Sequence, residues 1–221
     1  MFRKLLVLVV LAVGVGALAP NALAAAQLRV LHAAPDVPAV TVYVNGKAAV
    51  PSLGTLASTP YLSLPAGTYR VAVSLQGQPE SAAALRATIT LKDKQRYTAT
   101  ARGLLSAKTA ELALIRDMRV APGRGIAAIR VAHLSPDAPN VDVWVNAKRV
   151  LRNVPYEAVS NYLRLKPGQY RIRITATGTT TTVFDQRLRL RGGQAVTAAA
   201  VGAVKAEGAK FTVKVLKDAS R

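Results

Sequence analysis

Short runs in which apolar and polar residues alternate make up most of the chain, and prolines, glycines and asparagines separate these runs. In residues 40–44, for example, the sequence Val-Thr-Val-Tyr-Val places a valine at every second position. Because successive side chains of a strand point to opposite faces, such a run predicts a strand with one buried face. The alanine-rich residues 81–86 are too short for a convincing amphipathic helix and are interpreted as a loop or the start of a strand. The pattern therefore predicts an all-β protein.

The chain carries the same domain twice, with an offset of 101 residues between the copies. Residues 29–45 recur at residues 130–146, including the histidine, the aspartate and two prolines. Each copy contains about seven alternating runs, a number typical of a β-sandwich. We therefore predict one sandwich at residues 27–119 and a second at residues 127–218, joined by a linker at residues 120–126.

The N-terminal residues have the pattern of a secretory signal peptide. Two basic residues precede an apolar run at residues 5–18, and Ala-Leu-Ala at residues 22–24 fits a cleavage site. A retained membrane anchor is the alternative, but the apolar run is shorter than the ~20 residues that a spanning helix needs. The chain has no cysteine, which excludes disulfides and a lipid-modified cysteine. We expect residues 1–24 to be removed and the mature protein to be secreted, periplasmic or at the cell surface, without a transmembrane segment.

The most conspicuous part of the repeat is a proline-rich loop that follows a strand ending in histidine. A proline cannot donate a hydrogen bond to a neighbouring strand, so the chain must leave the sheet there. The histidine lies on the core side of its strand, where its ring nitrogens need partners. We expect a structural hydrogen bond from the histidine to the aspartate or to the loop backbone. The motif residues are His32, Pro35, Asp36 and Pro38 in the first copy, and His133, Pro136, Asp137 and Pro139 in the second.

These residues also carry a family resemblance. The string His-x-x-Pro-Asp-x-Pro-x-Val-x-Val-x-Val-Asn, followed by Tyr-Leu-x-Leu and a Gly-x-Tyr turn, resembles the domain-of-unknown-function family numbered 4397. The resemblance covers nearly all of the mature chain in two copies. It implies an Ig-like or transthyretin-like antiparallel β-sandwich outside the cytoplasm, and it brings no established activity. Thr41 stands where the second copy has Asp142, and Ala147 where the first has Gly46, so a strict active site is not expected.

Catalytic and metal-binding patterns are scarce in this sequence. Each copy has a single histidine, which is too few for a multi-histidine metal site within one domain. The spacing of His133, Ser135 and Asp137 suggests a serine triad, but Ala34 replaces the serine in the first copy. We therefore expect no enzymatic activity, no metal and no cofactor. A metal or hydrolytic site at the two proline-rich loops remains the alternative.

Positive charge is concentrated in the second copy. Residues 27–120 contain 11 basic and 5 acidic residues, whereas residues 121–221 contain 17 and 6. Several of the second copy's arginines alternate with apolar residues, so they are expected on the outer face of their strands. If these strands share a sheet, the arginines form a basic ladder. The arginines of this candidate ladder are Arg164, Arg171, Arg173, Arg187, Arg189 and Arg191.

Such a ladder favours a role in binding rather than in catalysis. We expect a structural or binding module of the cell envelope, with an anionic envelope polymer or an acidic surface protein as its partner. An extracellular binder of DNA or another polyanion is the alternative, and arginines that only solvate the sheet are a third interpretation. Nucleic acid is less favoured because the candidates for base stacking are few: Trp144, Tyr43, Tyr61 and Tyr162.

Overall fold

The computed structural model describes residues 25–220, so the expected signal peptide lies outside the described residues. Almost all regular structure in this part of the chain is β-strand, which confirms the all-β prediction. The strands of the first half are β1 (Ala25–His32), β2 (Val40–Val44), β3 (Lys47–Leu53), β4 (Leu62–Pro65), β5 (Gly67–Leu75), β6 (Leu85–Leu91), β7 (Arg96–Arg102) and β8 (Glu111–Asp117). Those of the second half are β9 (Ala127–His133), β10 (Val141–Val145), β11 (Lys148–Val154), β12 (Leu163–Leu165), β13 (Gly168–Ala176), β14 (Thr182–Leu190), β15 (Gln194–Val201) and β16 (Thr212–Ser220).

One short helical turn accompanies the strands. It is a 3-10 turn at Glu80–Ala82, within the segment interpreted as a loop or the start of a strand, and β6 begins three residues later. Three residues are too few to form an independent helix. Within residues 25–220, no helix has the length and apolarity needed to cross a bilayer.

Each half of the chain forms two four-stranded sheets that pack face to face. The orders are β4-β1-β7-β8 and β3-β2-β5-β6 in the first half, and β12-β9-β15-β16 and β11-β10-β13-β14 in the second. The prediction of two β-sandwiches is therefore confirmed, with eight strands in each half rather than about seven. One feature differs from a wholly antiparallel sandwich: β1 pairs with β7 in parallel, and β9 with β15.

The alternating pattern accounts for the core of each sandwich. Leu28 and Val30 of β1 pack against Val40 and Val42 of β2, all almost completely buried, as their period of two predicts. Fully burying one such side chain contributes about 1.5–3 kcal/mol relative to leaving it exposed. The motif histidine His32 lies on this same face of β1, and it is buried as well.

The other face of β1 and β9 is also buried, because the two sandwiches pack against each other through it. Leu31 of the first sandwich contacts a cluster that includes Ala132, Leu134 and Leu216 of the second. A strand that is covered on both faces loses the polar half of its alternation, and this explains why β9 is buried along its whole length.

Two buried ion pairs cross the contact between the sandwiches. The Arg29 guanidinium of the first sandwich pairs with the Asp218 carboxylate of the second, and Arg130 of the second pairs with Asp117 of the first. The side chains of both arginines are no more than 5% exposed, and both carboxylates are fully buried. The two pairs are related by the offset of 101 residues, so they form an approximately symmetric crossing of the two copies.

Each of these carboxylates also accepts hydrogen bonds from its own sandwich. Tyr61 Oη and Thr98 Oγ1 donate to the carboxylate of the first sandwich at 2.7 and 2.6 Å. Tyr162 Oη and Thr197 Oγ1 donate to that of the second at 2.7 and 2.6 Å. Burial raises the pKa of both tyrosines, which keeps them protonated as donors. The contact is therefore a paired and hydrogen-bonded network, as buried charges require.

Candidate functional site

The motif histidines hold their own loops closed through the backbone. His32 Nε2 donates to the Pro38 carbonyl at 3.0 Å, and His133 Nε2 donates to the Pro139 carbonyl at 3.1 Å. Burial lowers the pKa of both imidazoles, so they are neutral at pH 7. Of the two partners that the sequence suggested, the histidines use the loop backbone.

The motif aspartates hold a different loop. The Asp36 carboxylate accepts hydrogen bonds from the backbone N–H groups of Leu105 and Ser106, at 3.1 and 2.8 Å, in the loop between β7 and β8. Asp137 accepts three backbone hydrogen bonds, at 2.5–2.8 Å, from residues 204–206 between β15 and β16. Partial burial acts to raise the pKa of both carboxyls, but these hydrogen bonds outweigh it and the pKa is lowered.

The loops consequently do not present a shared histidine and aspartate to solvent. In each loop the imidazole is buried and bonded to the backbone, and the carboxylate is bonded to another loop. The Nδ1 atom of each histidine is buried without a hydrogen-bond partner among residues 25–220. In the same residues, no group of three or more histidine and acidic side chains could hold a metal ion.

The outer sheet of the second sandwich assembles most of the predicted basic ladder. In the pairing of β13 with β14, Arg171 lies opposite Arg187, Gln169 opposite Arg189, and Arg173 opposite Asp185. The alternation of these strands directs the arginines outward, while Ile172 and its neighbours of the same parity point into the core.

The other two arginines of the candidate ladder lie elsewhere. Arg164 is on β12 opposite Ala128, in the sheet that faces the first sandwich. It is therefore not beside the ladder. The sequence could not show this, because strand alternation does not tell to which sheet a strand belongs. Arg191 follows the end of β14 and, with Arg189 and Gln169, lines a cleft of about 620 Å³ at one end of the ladder.

A tryptophan extends this surface onto the next strand. Trp144 of β10 lies opposite Arg173 on one side and Arg149 of β11 on the other. The two guanidinium carbons lie 4.8 and 5.3 Å from the indole ring centroid, within the range of cation–π contacts. The indole Nε1 donates to Thr175 Oγ1 at 3.2 Å. We name the surface formed by Trp144, Arg149, Arg171, Arg173, Arg187 and Arg189 the arginine face.

Sequence reasoning did not find Arg149 as part of this surface. The pairing of β10 with β11 contains irregularities before Trp144, so simple alternation along β11 does not give the correct partner. The order Trp144-Val-Asn-Ala-Lys-Arg149 around a turn is a usable signal, because it brings an arginine back beside the tryptophan.

Carboxylates pair with some of these arginines and leave others uncompensated. Arg171 forms an exposed ion pair with Asp185, and Arg149 pairs with the buried Asp142. A backbone hydrogen bond from Asn153 is the largest cause that lowers the pKa of Asp142. Among residues 25–220, the remaining arginines of the face form no ion pair. They are Arg173, Arg187 and Arg189.

The first sandwich has the same sheet without this charge. In the matching pairings, Tyr43 lies opposite Ala48 and Ala72, where the second sandwich has Trp144 between two arginines. The residues that match Arg187 and Arg189 are Thr88 and Thr90, and only Arg70 repeats an arginine of the face, matching Arg171. The list of exchanged positions, first copy to second, is Ala48 to Arg149, Tyr43 to Trp144, Ala72 to Arg173, Thr88 to Arg187 and Thr90 to Arg189.

Comparison with known proteins places the repeat in a family. The model of the family described as "Domain of unknown function (DUF4397)" matches residues 26–144 and again residues 127–221. No curated protein matches the chain.

Solved structures resemble the chain only distantly. The Bacillus anthracis TIE protein has 11% identity and a TM-score of 0.27, over 86% of this chain and 34% of its own. A leucine-rich repeat protein from Bacteroides thetaiotaomicron has 10% identity and a TM-score of 0.21, over 86% and 27%. A proposed cell adhesion protein from Bacteroides ovatus has 8% identity and a TM-score of 0.25, over 89% and 98%. The chain thus spans about a third of the first of these proteins and about a quarter of the second.

Proposed function

We propose that this protein works through the surface that distinguishes its two copies. The chain belongs to the DUF4397 family, and the description of that family names no activity. It is a non-enzymatic binding module of the cell envelope, and the arginine face is its contact surface. The partner is a linear polymer with regularly repeated negative charges. The observation that carries the proposal is a set of arginines that form no ion pair within the described part of the chain, Arg173, Arg187 and Arg189, at positions where the first copy has alanine and threonine.

The spacing of the arginines supports an extended polymer rather than a single small anion. Arg187 and Arg189 are two residues apart on β14, which separates them by roughly 7 Å along the strand. Arg171 lies beside Arg187 on β13, about 5 Å away across the sheet. A grid of this kind offers successive positive charges to successive anionic groups of a polymer.

The contacts that Trp144 already makes favour an anionic polymer of the envelope over nucleic acid as the partner. Two guanidinium groups already lie against the indole ring, and its N–H is bonded to Thr175. A nucleobase that stacked on this ring would have to displace at least one arginine, and such stacking is the main sequence-tolerant contribution to single-strand binding. Charge contacts to a polymer without bases need no such displacement.

A location outside the cytoplasm is part of this proposal. It rests on the signal-peptide pattern of residues 1–24, which lies outside the described residues. The fold is compatible with that location because it needs no disulfide: the chain has no cysteine, and each sandwich has its own apolar core.

The proposal is tested by binding of the purified protein without residues 1–24 to poly(glycerol phosphate) across a salt series, with neutral dextran and single-stranded DNA in parallel. The exchange variant places the residues of the first copy in the arginine face: Arg149→Ala, Arg173→Ala, Arg187→Thr and Arg189→Thr. It also carries Asp142→Thr, the residue of the first copy, so that no buried carboxylate is left without its arginine. The wild type should bind the polyphosphate in a salt-dependent manner. The exchange variant should lose most of this binding, and its slope of log K against log salt should fall by about 0.7–0.9 for each contact removed.

The matched control removes four positive charges from other exposed positions, as glutamines at Lys47, Lys108, Lys205 and Lys210. This variant should bind as the wild type does, because the proposal depends on where the charge lies and not only on its amount. If both variants lost affinity equally, binding would depend only on the total positive charge of the protein, and the proposal would be contradicted. Preferential retention on DNA would assign the face to nucleic acid instead.

A further inference from the structure

A second basic surface, which is a cleft, lies where the two copies join. A cleft of about 570 Å³ opens beside the end of β8, the residues that follow it, and β12. Three guanidinium groups line it: Arg116 from β8, Arg119 from the following segment and Arg164 from β12. Arg164 is the member of the predicted ladder that the fold directs away from the arginine face. The cleft therefore draws its charge from both copies of the repeat.

The arginines of this cleft have no acidic partner in the part of the chain that the structure describes. Among residues 25–220, none of the three arginines forms an ion pair. Asp117 lies at the cleft, but its carboxylate is already bonded to Arg130 and to two hydroxyl groups of the first sandwich. The nearest neutral partner is Gln95, whose Oε1 accepts a hydrogen bond from Arg116 Nε at 3.0 Å. Three like charges at one opening repel each other, and a bound anion would relieve this repulsion.

The repeat itself shows that the cluster is not a general property of the fold. The offset of 101 residues relates Arg164 to Ser63, Arg119 to Ser220 and Arg116 to Lys217. At these three positions the other copy thus has one basic residue, Lys217, and two serines in place of three arginines. Neither packing nor strand alternation requires arginine at positions where the other copy has an exposed serine.

We infer that this cleft binds a compact oxyanion of the phosphate class, either free pyrophosphate or phosphate, or the terminal phosphate of a larger molecule. Guanidinium groups bind phosphate oxygens through paired, charge-assisted hydrogen bonds. Three such groups from separate segments match the several oxygens of a phosphoryl group better than the single edge of a carboxylate. Because the arginines belong to both copies, the bound anion would bridge them and stabilise the folded chain.

The test is calorimetric titration of the protein without residues 1–24 with pyrophosphate, and with methyl phosphate as a model of a polymer end, at constant ionic strength. Thermal unfolding in the same solutions reports any bridging of the copies. The test variant, Arg119→Ser with Arg164→Ser, carries the residues of the other copy. The control variant, Arg187→Thr with Arg189→Thr, removes two charges from the arginine face.

The wild type should bind pyrophosphate and unfold at a higher temperature in its presence. The test variant should bind at least about tenfold more weakly, as expected when charge-assisted hydrogen bonds are lost. The control variant should bind as the wild type does, so this inference can fail while the proposed function stands, or the reverse. With inorganic phosphate titrated in parallel, tighter binding of methyl phosphate than of inorganic phosphate would point to polymer ends, and tighter binding of phosphate or pyrophosphate to the free anion. Absence of pyrophosphate binding to the wild type, or unchanged binding by the test variant, would overturn the inference.

Discussion

Asp185 is the acidic residue that most directly reduces the positive charge of the arginine face. Its carboxylate pairs with Arg171, and the hydrogen bonds from that arginine are the largest cause that lowers its pKa, so it is charged at pH 7. It occupies the position of Arg86 in the first copy, and it is the one exposed acidic side chain on β13 and β14. The face therefore carries its own counter-charge.

Replacement of Asp185 by asparagine should strengthen polyanion binding. The change frees Arg171 and removes a repulsive charge, and because exposed ion pairs are weak in water, the gain should be a few-fold. The measurement is the affinity for poly(glycerol phosphate) at low salt. Asp93→Asn, which removes an exposed carboxylate of the first sandwich, is the control and should have little effect. Equal gains in the two variants would mean that net charge alone sets the affinity.

The two histidines predict a loss of stability in mildly acidic solution. Burial lowers the pKa of His32 and His133 in the folded state, while in the unfolded chain it is close to 6.5. Below pH 6.5 the unfolded chain therefore binds protons that the folded chain does not, and the free energy of unfolding falls. Each histidine can contribute up to about 1.4 kcal/mol per pH unit. Stability from this source is fully present above pH 6.5 and declines as the pH falls.

Urea unfolding at pH 7.5, 6.5 and 5.5 measures this effect. The aspartates with lowered pKa titrate below their ordinary value of 3.8, so they do not contribute in this range. Burial raises the pKa of Asp218, so this carboxyl binds protons more readily in the folded chain and opposes the decline as the pH falls. His133→Gln keeps a side-chain N–H donor but cannot be protonated, and it should remove about half of the decline. A decline of the same size in this variant would show that the histidines are not its source.

Sequence reasoning identified side-chain direction well at this scale but not partners. Period-two alternation predicts that four arginines point outward, and the strands of the structure show this alternation. These are Arg171, Arg173, Arg187 and Arg189. That Arg29 is buried does not follow from alternation, because the second face of β1 is covered only by the other sandwich.

At the scale of elements, the motif aspartates link strands that the sequence separates widely. Asp137 holds the backbone of residues 204–206 with three hydrogen bonds, and Asp36 holds the corresponding loop of the first sandwich. The prolines stiffen one loop, and the carboxylate fastens the opposite loop to it. We therefore propose that the His-x-x-Pro-Asp motif has a structural role in both copies.

Asp137→Ala should loosen the loop between β15 and β16 without affecting the arginine face. Loss of the charged acceptor should cost on the order of 1 kcal/mol, a value reduced by the partial exposure of the site. Urea unfolding gives the cost, and amide hydrogen exchange at residues 204–206 should accelerate. Binding of poly(glycerol phosphate) should remain unchanged, whereas loss of binding with unchanged stability would point to a functional site at the loop.

The sequence predicted the strands better than their arrangement. The hairpin turn at Asn45 and Gly46 follows from residue type, and both residues have positive φ, +48° and +84°. The second copy keeps a turn of the same length, but there only Asn146, at φ +56°, has positive φ, and Ala147 does not. The parallel pairing of β1 with β7 joins strands far apart in the sequence and has no local signal. In the second sandwich, the pairing of β12 with β9 places Arg164 in the other sheet from β13 and β14.

At the scale of the whole molecule, the buried network fixes one sandwich against the other. The recurrence of Arg29 as Arg130, and of Asp117 as Asp218, is visible in the sequence, but their crossed pairing is a property of the packed copies. Removing one partner of a buried pair leaves an uncompensated charge, which typically costs about 3–5 kcal/mol.

Arg29→Met should therefore destabilise the protein by about 3–5 kcal/mol, because it leaves Asp218 buried without its cation. Adding Asp218→Asn removes the unpaired charge and keeps an acceptor for Tyr162 and Thr197, so part of the loss should be recovered. A double-mutant cycle by chemical denaturation measures the coupling. Additive effects of the two substitutions would show that the pair does not couple the sandwiches.

We propose that the arginine face makes the second sandwich, and not the first, the binding module. The most direct measurement transfers that face within the molecule. The starting protein is the exchange variant, which should no longer bind poly(glycerol phosphate). Arginines are then introduced at the matching positions of the first sandwich, Ala48, Ala72, Thr88 and Thr90. We predict that this graft restores the affinity for poly(glycerol phosphate) and its salt dependence. A graft that folds but does not bind would contradict the proposal.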